Sequence, residues 1–456
     1  MTQRSDHPAL HPGLHPALRH GRLTRTVHSR RSGRRHDNEP TLRIEHREAL
    51  MYTLSKAAEL EHLIICQYLY AAFSLKREAG EGLSDEQVRL VGGWRHQLME
   101  IAEQEMLHLA LVQNLLSGVG AGPHFARPNF PVPPRAFPAR IRIELLPFGE
   151  EALRHFCFLE RPEGSDIQDA DLFAAVEKAT PLPDVTADEI GPIAADFETI
   201  SHLYRSIEDG LSVLAERLGE ERLFIGSVRA QATGKDFRFP ELIQVTSLAT
   251  ARAAIETIVE QGEGARGHWQ KSHFGRLMGM LDAFEEAVAA DPGLAVTRPV
   301  VPAHVRPPES GVQVALISAP FTVRVMDLMN ATYEVMLQVL ARYFNHTDES
   351  DADLAALAKV AFFLMEDVVA PLGCIVTRLP IGPELPDSTA GPTFELFYDA
   401  DWLLPHRDAA WHVIIERLEQ LASFATACRD ECDPRFRDAL TSIADLLRAQ
   451  AATLTQ

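Results

Sequence analysis

Long uncharged apolar runs are absent from this 456-residue sequence, and cysteine is scarce. A membrane-spanning helix needs about 20 apolar residues, whereas the best run, residues 63–75, is shorter and contains Gln67. Since Glu61 and Lys76 flank this run, we interpret it as a buried helix of a soluble bundle with no membrane partner. Five scattered cysteines are too few for a disulfide framework, which favours a cytoplasmic protein.

Positive charge is also scarce beyond the first forty residues. That stretch holds eight arginines against three acidic residues, whereas the whole chain carries a formal net charge of −20. The rest of the chain is therefore strongly acidic and would repel phosphate backbones, so we expect no nucleic-acid partner. Residues 1–41 contain the repeats HPAL, HPGL and HPAL and lack an apolar segment. This composition predicts a disordered, basic, His/Arg-rich tail and no export signal.

Helical periodicity dominates the remaining sequence, and the alternation typical of strands is nearly absent. The pattern predicts an all-α fold built from two helical bundles. We place a four-helix bundle at residues 42–292 and a second helical bundle at 315–456, with a proline-rich linker at 293–314 between them. Two long irregular segments, 121–148 and 379–406, are expected to cover a pocket between the helices.

Single acidic residues interrupt the apolar faces of successive helices in the first bundle. Glu61 lies on the apolar face of the first predicted helix, and Glu105 and His108 lie on that of the second. A spacing of three residues puts Glu105 and His108 side by side. By the same periodicity, Glu208 lies on the face of the third helix and Glu263 on that of the fourth.

A second histidine is expected near Glu263, but its position is irregular. The helical pattern breaks at the glycines around residue 264 and resumes near residue 272. His273 begins the resumed helix and is the preferred sixth ligand, with His268 as the competing choice. Either the helix is interrupted so that His273 folds back, or the second metal ion is held less completely.

Four carboxylates buried together are costly, because each raises the free energy of ionising the others. Divalent cations remove that cost, and glutamates combined with a Glu-x-x-His pair form the dimetal sites of ferritin-like bundles. We therefore predict two iron ions, with manganese as the alternative, at a site whose ligands are Glu61, Glu105, His108, Glu208, Glu263 and His273. A network of structural ion pairs is the competing explanation for these acids.

Two tyrosines share the apolar faces that carry the acids. Tyr68 lies two turns after Glu61, and Tyr204 lies one turn before Glu208. We predict that they are catalytic residues which hydrogen-bond a ligand or act as redox neighbours, with core packing as the alternative. His62 and Cys66 form a stripe beside Glu61, which we interpret as packing.

The sequence resembles the ferritin-like family of iminophenyl-pyruvate dimer synthases in several short motifs. They are AELEH at 58–62, EMLH at 105–108, IVEQGEG at 258–264, SHF at 272–274, NATY at 330–333 and AGP at 390–392. The resemblance covers about residues 45–450 and implies a ferritin-like bundle. It also implies a pathway of the bisindole-pigment type, such as violacein, in which a partner oxidase supplies amino-acid-derived imines that the enzyme couples. Known members carry a large front domain, so the resemblance describes this chain as a stand-alone member.

The acid pattern and the resemblance lead to one preferred function and two alternatives. The preferred function is a di-iron oxidoreductase that uses oxygen or peroxide to oxidise a small amino-acid-derived substrate. Imine coupling in natural-product biosynthesis is the alternative among enzymes. A non-enzymatic iron-binding protein is the alternative of another class, although the second bundle disfavours a storage cage. Homo-oligomers are compatible with all three.

Overall fold

The computed structural model of the protein describes residues 44–132, 142–162, 197, 199–264, 269–308, 312–397 and 405–455. This part of the chain is dominated by helices, which confirms the all-α class. The predicted tail at 1–41 lies outside the described residues. The principal helices are α1 (Arg47–Ser74), α2 (Asp85–Gly118), α3 (Glu150–Leu159), α4 (Ile200–Leu218), α5 (Leu248–Gly262), α6 (His273–Ala290), α7 (Pro320–Phe344), α8 (Asp351–Phe363), α9 (Ala370–Val376), α10 (Arg407–Glu431) and α11 (Pro434–Thr455).

Helix α1 is the central element, because its second half is covered on every side. All side chains from Ala57 to Ser74 are buried. Helices α2 and α4 pack against it, and α9 contacts it as well. A helix that is buried all round has no solvent face, so the polar residues of α1 must find partners inside the protein.

Helix α2 is the longest helix of the described chain, with 34 residues. It begins at a capping box in which the Ser84 hydroxyl accepts the Gln87 N–H and the Gln87 side chain accepts the Ser84 N–H. Helix α2 packs along α1, while α5 and α6 contact its other side. Helix α4 packs on α5, and α3 packs on α6. The ends of α3, α5 and α6 therefore meet the middle of the α1–α2 pair.

The C-terminal helices form a second group around α7. Helix α7 begins with Pro320 in its first turn, where the missing proline N–H costs no hydrogen bond, and it contacts α8, α9 and α10. Helix α8 continues into α9 through a π-helical turn, Leu364–Val369. Pro371 follows this turn and cannot donate a backbone hydrogen bond, which explains the local widening of the helix. Helices α10 and α11 form a tightly packed hairpin.

Two pairs of short strands involve the predicted linker at 293–314. Strand β1 (Val300–Val301) pairs in parallel with β4 (Thr389–Ala390), and β2 (Ala303–His304) pairs in parallel with β3 (Ala315–Leu316). The predicted linker at 293–314 is thus hydrogen-bonded to the 379–406 segment. One hydrophobic core contains residues of both helix groups, and the division into two bundles stays a prediction. None of the described helices is long and apolar enough to span a membrane.

A buried ion pair joins the end of α7 to the start of α8. Arg342 Nη2 lies 2.7 Å from Glu349 Oε2, and Glu349 also accepts hydrogen bonds from Trp411 Nε1 and the Thr347 N–H. Burial alone would raise the pKa of Glu349, but the Arg342 guanidinium and these hydrogen bonds lower it to about 2. Three elements of the C-terminal group therefore depend on one ionised carboxylate.

Replacing Glu349 with glutamine should lower the free energy of unfolding at pH 7 by about 3 kcal/mol, because Arg342 would lose its buried partner. The folded-state pKa lies below the ordinary value of 4.5. The difference in free energy of unfolding between the wild type and the variant is therefore complete above that value, and it declines as the pH falls towards 2. Urea unfolding of both proteins across this pH range measures it. Glu431→Gln, which removes the exposed partner of Arg324, should cost at most about 1 kcal/mol. A Glu349→Gln penalty that does not change with pH would contradict this account.

Candidate metal centre

Six buried side chains from five helices converge beside the middle of α1. Helix α1 contributes Glu61, and α2 contributes Glu105 and His108 on adjacent turns. The other three come from helix ends. Glu160 caps the C-terminus of α3, Glu263 caps that of α5, and His273 is the first residue of α6. None of the six is more than 8% exposed.

Glu105 is the central carboxylate of this cluster, because each of its oxygens faces one histidine. Its Oε2 lies 3.0 Å from His108 Nδ1, and its Oε1 lies 2.7 Å from His273 Nδ1. The two imidazole rings are stacked, with centroids 5.4 Å apart. One carboxylate thus connects a histidine of α2 with a histidine that is distant in the sequence.

Glu61 and Glu160 occupy similar positions on opposite sides of this central group. Glu61 Oε2 lies 3.8 Å from His108 Nδ1, and Glu160 Oε1 lies 3.8 Å from His273 Nδ1. Each of these carboxylates also accepts a hydrogen bond from a buried tyrosine. Tyr204 donates to Glu61, and Tyr68 donates to Glu160 Oε1 at 2.6 Å. Both predicted tyrosines therefore contact the cluster through its outer carboxylates.

A glycine ends helix α5 and allows the chain to bring His273 back to the cluster. Gly264 has a left-handed φ of 96°, and a Cβ there would lie 2.6 Å from Trp269 Cα. Only glycine accepts both the backbone conformation and this close approach. The preceding residue, Glu263, accepts a hydrogen bond from the Ser201 N–H at 3.1 Å. The helix is interrupted at the glycines, and His273 folds back as the first of the two sequence alternatives requires.

Two glutamines orient the histidines from behind. His108 Nε2 lies 3.0 Å from Gln261 Oε1, and His273 Nε2 lies 3.1 Å from Gln104 Oε1. An amide oxygen can only accept a hydrogen bond, so the hydrogen of each ring is on Nε2 at this contact. Arg276 donates to the same Gln104 oxygen at 3.0 Å. In both rings Nδ1 is consequently the nitrogen that faces the carboxylates.

The pKa values follow from burial and from these contacts. Burial alone would raise the pKa of Glu105, but His108 and His273 hold it well below its usual range. Burial alone would lower the pKa of both histidines, whereas Glu105 raises them. Burial and the neighbouring Glu105 raise the pKa of Glu61 to about 8, and burial raises that of Glu263 to about 7. Glu61 and Glu263 therefore resist ionisation unless positive charge is supplied nearby.

Glu208 is the predicted ligand that the structure places outside the cluster. Its side chain is 38% exposed and forms an ion pair with Arg252 at 3.1 Å. Helix α4 buries Tyr204, Ile207 and Leu211, so Glu208 lies at the edge of this face rather than at its centre. Helix α4 thus contributes a tyrosine to the cluster instead of a carboxylate. The competing histidine, His268, lies outside the described residues.

Glu160 is the cluster residue that sequence reasoning missed. It follows the apolar residues 156–159 at the end of the short helix α3, within the long connection between two predicted bundle helices. The four-helix pattern assigns no ligand to such a connection. The available signal was an acid directly after an apolar run, which is common at helix ends and points to no metal by itself.

The donor chemistry fits one or two divalent ions. Ligand atoms of Glu105, His108 and His273 all lie within 4.8 Å of one another. Glu61, Glu160 and Glu263 add three carboxylates around this group, and tyrosine hydroxyls hold two of them. Carboxylates with imidazoles suit iron or manganese, whereas thiolate-rich sites favour softer metals. No cysteine belongs to the described ligand set.

Comparison with known proteins supports the same general fold. A family model described as ferritin-like matches residues 54–282. Dichlorochromopyrrolate synthase from Lentzea aerocolonigenes is 28% identical over 84% of this chain and 39% of its own length. The 2-imino-3-(indol-3-yl)propanoate dimerase from Chromobacterium violaceum is 29% identical over 77% of this chain and 34% of its own length. The chain therefore spans well under half the length of these relatives.

A solved structure is also similar to the chain. The crystal structure of a ferritin-like protein from Caulobacter vibrioides matches 69% of this chain and 93% of its own, with 19% identity and a TM-score of 0.41. The family model, by contrast, spans α1 to α6, the helices that supply all six clustered side chains. The match covers half of the sequence, and the chain belongs to the ferritin-like family.

Proposed function

We propose that this protein is a dimetal enzyme of the oxidoreductase class, with two iron ions as the resident metal and manganese as the alternative. Its substrate is a small amino-acid-derived molecule. Glu61, Glu105, His108, Glu160, Glu263 and His273 would hold the metal, with Glu105 between the two histidines. Bound iron would supply the redox chemistry with oxygen or peroxide.

The observation that carries this proposal is the position of Glu105. Its two oxygens face two different histidine Nδ1 atoms, at 3.0 and 2.7 Å. A purely structural ion pair satisfies one carboxylate with one cationic group, whereas this cluster adds two more buried carboxyl groups, Glu61 and Glu160, at 3.8 Å from the same two rings. Burying several ionised acids together is costly unless positive charge is close to them. A charge-neutralising metal explains the whole arrangement.

The residues around the ligands position them. Gln104 and Gln261 accept the Nε2 hydrogens of the two histidines and so direct both Nδ1 atoms towards the carboxylates, where these nitrogens would bind a metal ion in place of a proton. Tyr68 and Tyr204 hold Glu160 and Glu61 through their hydroxyl groups. Burial raises the pKa of both tyrosines well above the usual value, so they act as hydrogen donors. We propose them as the catalytic residues that lie nearest to the metal ligands.

Coupling of two amino-acid-derived imines is the second candidate reaction. Its support comes from the relatives, one of which is named as a dimerase of 2-imino-3-(indol-3-yl)propanoate. An imine hydrolyses readily in water, so such a substrate requires an oxidase partner that supplies it. Both candidate reactions place a small amino-acid derivative near the same metal centre. A cytoplasmic location and a homo-oligomer stay part of this proposal.

Anaerobic loading with ferrous iron tests the ligand assignment. The wild type should retain about two irons per chain after desalting, as expected for a ferritin-like carboxylate site. Glu105→Ala and Glu160→Ala should each lose at least one of them, because each variant removes a clustered carboxylate. Metal analysis of the desalted protein, followed by the optical spectrum on admission of oxygen, measures the effect.

Glu208→Ala is the matched control for this experiment. It removes a glutamate of the same bundle that pairs with Arg252 instead of the cluster, so its iron content should equal that of the wild type. Equal iron in the wild type and Glu105→Ala would refute the metal centre. Loss of iron in Glu208→Ala, with retention in Glu160→Ala, would restore the ligand set predicted from periodicity.

Gln104→Leu and Gln261→Leu test the orientation of the histidines. Each variant removes the acceptor of one Nε2 hydrogen, and metal affinity should fall roughly 10- to 100-fold. Competition with a coloured chelator measures the affinity directly. Gln104→Glu keeps an acceptor oxygen and should retain tight binding. Gln97→Leu, two turns earlier in α2, is the control and should bind metal like the wild type. Unchanged affinity in both Leu variants would show that the glutamines do not position the rings.

A further inference from the structure

A second polar cluster lies on another side of α1, beneath the irregular segments 121–132 and 390–397. It consists of His62, Cys66, Arg127 and Tyr333, and we call it the loop-covered cluster. All four side chains are buried. His62 follows the proposed ligand Glu61 directly in α1, so the two clusters share one helix while their side chains point about 100° apart.

The hydrogen bonds of His62, Cys66 and Tyr333 are those of uncharged side chains. His62 Nδ1 lies 3.0 Å from the Phe125 carbonyl oxygen, which can only accept, so this nitrogen carries the ring hydrogen. The opposite nitrogen, Nε2, accepts from the Tyr333 hydroxyl. Cys66 Sγ lies 3.4 Å from the same hydroxyl and donates its thiol hydrogen to it. Thiol, phenol and imidazole therefore form a neutral chain.

Arg127 is the charged member, and its charge has no acidic partner within the described part of the chain. Its guanidinium donates to the carbonyl oxygens of Pro128 and Phe394. Its Nε–H has no hydrogen-bond partner, although the side chain is only 7% exposed. The other buried arginines of the described residues are Arg154, Arg298 and Arg342, and each of them forms an ion pair with a glutamate. A buried cation whose N–H donor lacks an acceptor is unfavourable unless an anion binds beside it.

We propose that Arg127 binds the carboxylate of a small aromatic 2-imino or 2-oxo acid. The cation has aromatic neighbours on its faces, with the Phe130 ring centroid at 5.2 Å and that of Tyr333 at 5.9 Å. Phe394 packs edge-on against Tyr333. These rings supply apolar walls beside a carboxylate-binding cation. The aromatic 2-imino acid class rests on the proposed function, whereas the anion site rests on Arg127 alone.

The backbone carbonyl of Phe394 occupies the position that a ligand carboxylate would take beside Arg127. Its carbonyl oxygen faces the Arg127 guanidinium, and its φ of 49° is left-handed, which a bulky residue rarely adopts. A carboxylate is a stronger acceptor than a carbonyl for this cation. A ligand that replaces the Phe394 carbonyl would satisfy Arg127 and release Phe394 from this conformation.

A clamp between the two irregular segments is the competing role for Arg127. Asn129 already makes that connection, because its side chain donates to the Leu396 carbonyl oxygen and accepts the Leu396 N–H, both at 2.8 Å. Two neutral hydrogen bonds join the segments without a buried charge. A clamp alone therefore does not explain why an arginine occupies position 127.

Calorimetric titration with indole-3-propanoate, a stable aromatic carboxylate, tests the proposal. The full-length chain is first dialysed against a chelator, so the ligand cannot bind through iron and a failed metal site leaves the result interpretable. The wild type should bind one equivalent. Indole-3-propanamide has the same shape without the charge, and it should bind at least roughly tenfold more weakly. Equal affinity for acid and amide, or no binding of the acid, would overturn the proposal.

Variants locate the binding to Arg127. Arg127→Met should weaken acid binding by at least roughly tenfold and remove the preference over the amide, while Arg127→Lys should retain part of it. Arg306→Met is the matched control, because Arg306 lies over Phe397 of the same segment but is largely exposed. It should bind like the wild type. Circular dichroism checks that each variant is folded. Unchanged binding in folded Arg127→Met would refute the assignment, and if that variant does not fold, Arg127→Lys and the acid–amide comparison decide.

Discussion

The need to neutralise several carboxyl groups inside an apolar helical bundle governs the structure around α1. Two histidines face Glu105 and lower its pKa, whereas burial raises the pKa values of Glu61 and Glu263. Neighbouring helices supply hydrogen-bond donors to these carboxyl groups. Two tyrosine hydroxyls and the Ser201 N–H all point at cluster carboxylates. The apolar residues of the same helices supply the packing that keeps the cluster dry.

Helix ends supply half of the cluster, and this placement strengthens the need for positive charge. Glu160 and Glu263 lie at the C-terminal ends of α3 and α5, where unpaired carbonyl groups already create a partial negative charge. A carboxylate is unfavourable at such a position unless a cation is close. The left-handed Gly264 then turns the chain so that α6 begins with His273 beside Glu160. An interrupted helix thus brings together groups that a straight helix would separate.

The complete burial of α1 allows one helix to serve two polar clusters. Glu61 points towards the candidate metal centre, and His62 points towards Tyr333 of the C-terminal helix group. The second cluster is formed only because the segments around residues 127 and 394 fold over α1 and bond to each other. The C-terminal helices therefore complete the surroundings of α1, and the common hydrophobic core of both helix groups reflects this.

Helical periodicity in the sequence was sufficient to predict the all-α class. It was also sufficient to predict that Glu61, Glu105 and His108 lie on the apolar faces that meet in the bundle. These residues lie within long, regular helices, where spacing alone determines which side chains share a face. The same reasoning assigned a ligand role to Glu208, because it lies one turn from Tyr204. In the tertiary structure Tyr204 points into the cluster, whereas Glu208 lies at the edge of the helix face and forms an ion pair with Arg252.

Only the tertiary structure decided which residues from helix ends and connections join the cluster. Glu160 and His273 reach it from helix ends whose direction depends on the packing of α3 on α6 and of α5 and α6 on α2. Arg127 and Tyr333 meet for the same reason, although more than two hundred residues separate them in the sequence. Periodicity is a local property and describes one helix at a time. The meeting of helix ends depends on long-range contacts, which no local pattern in the sequence encodes.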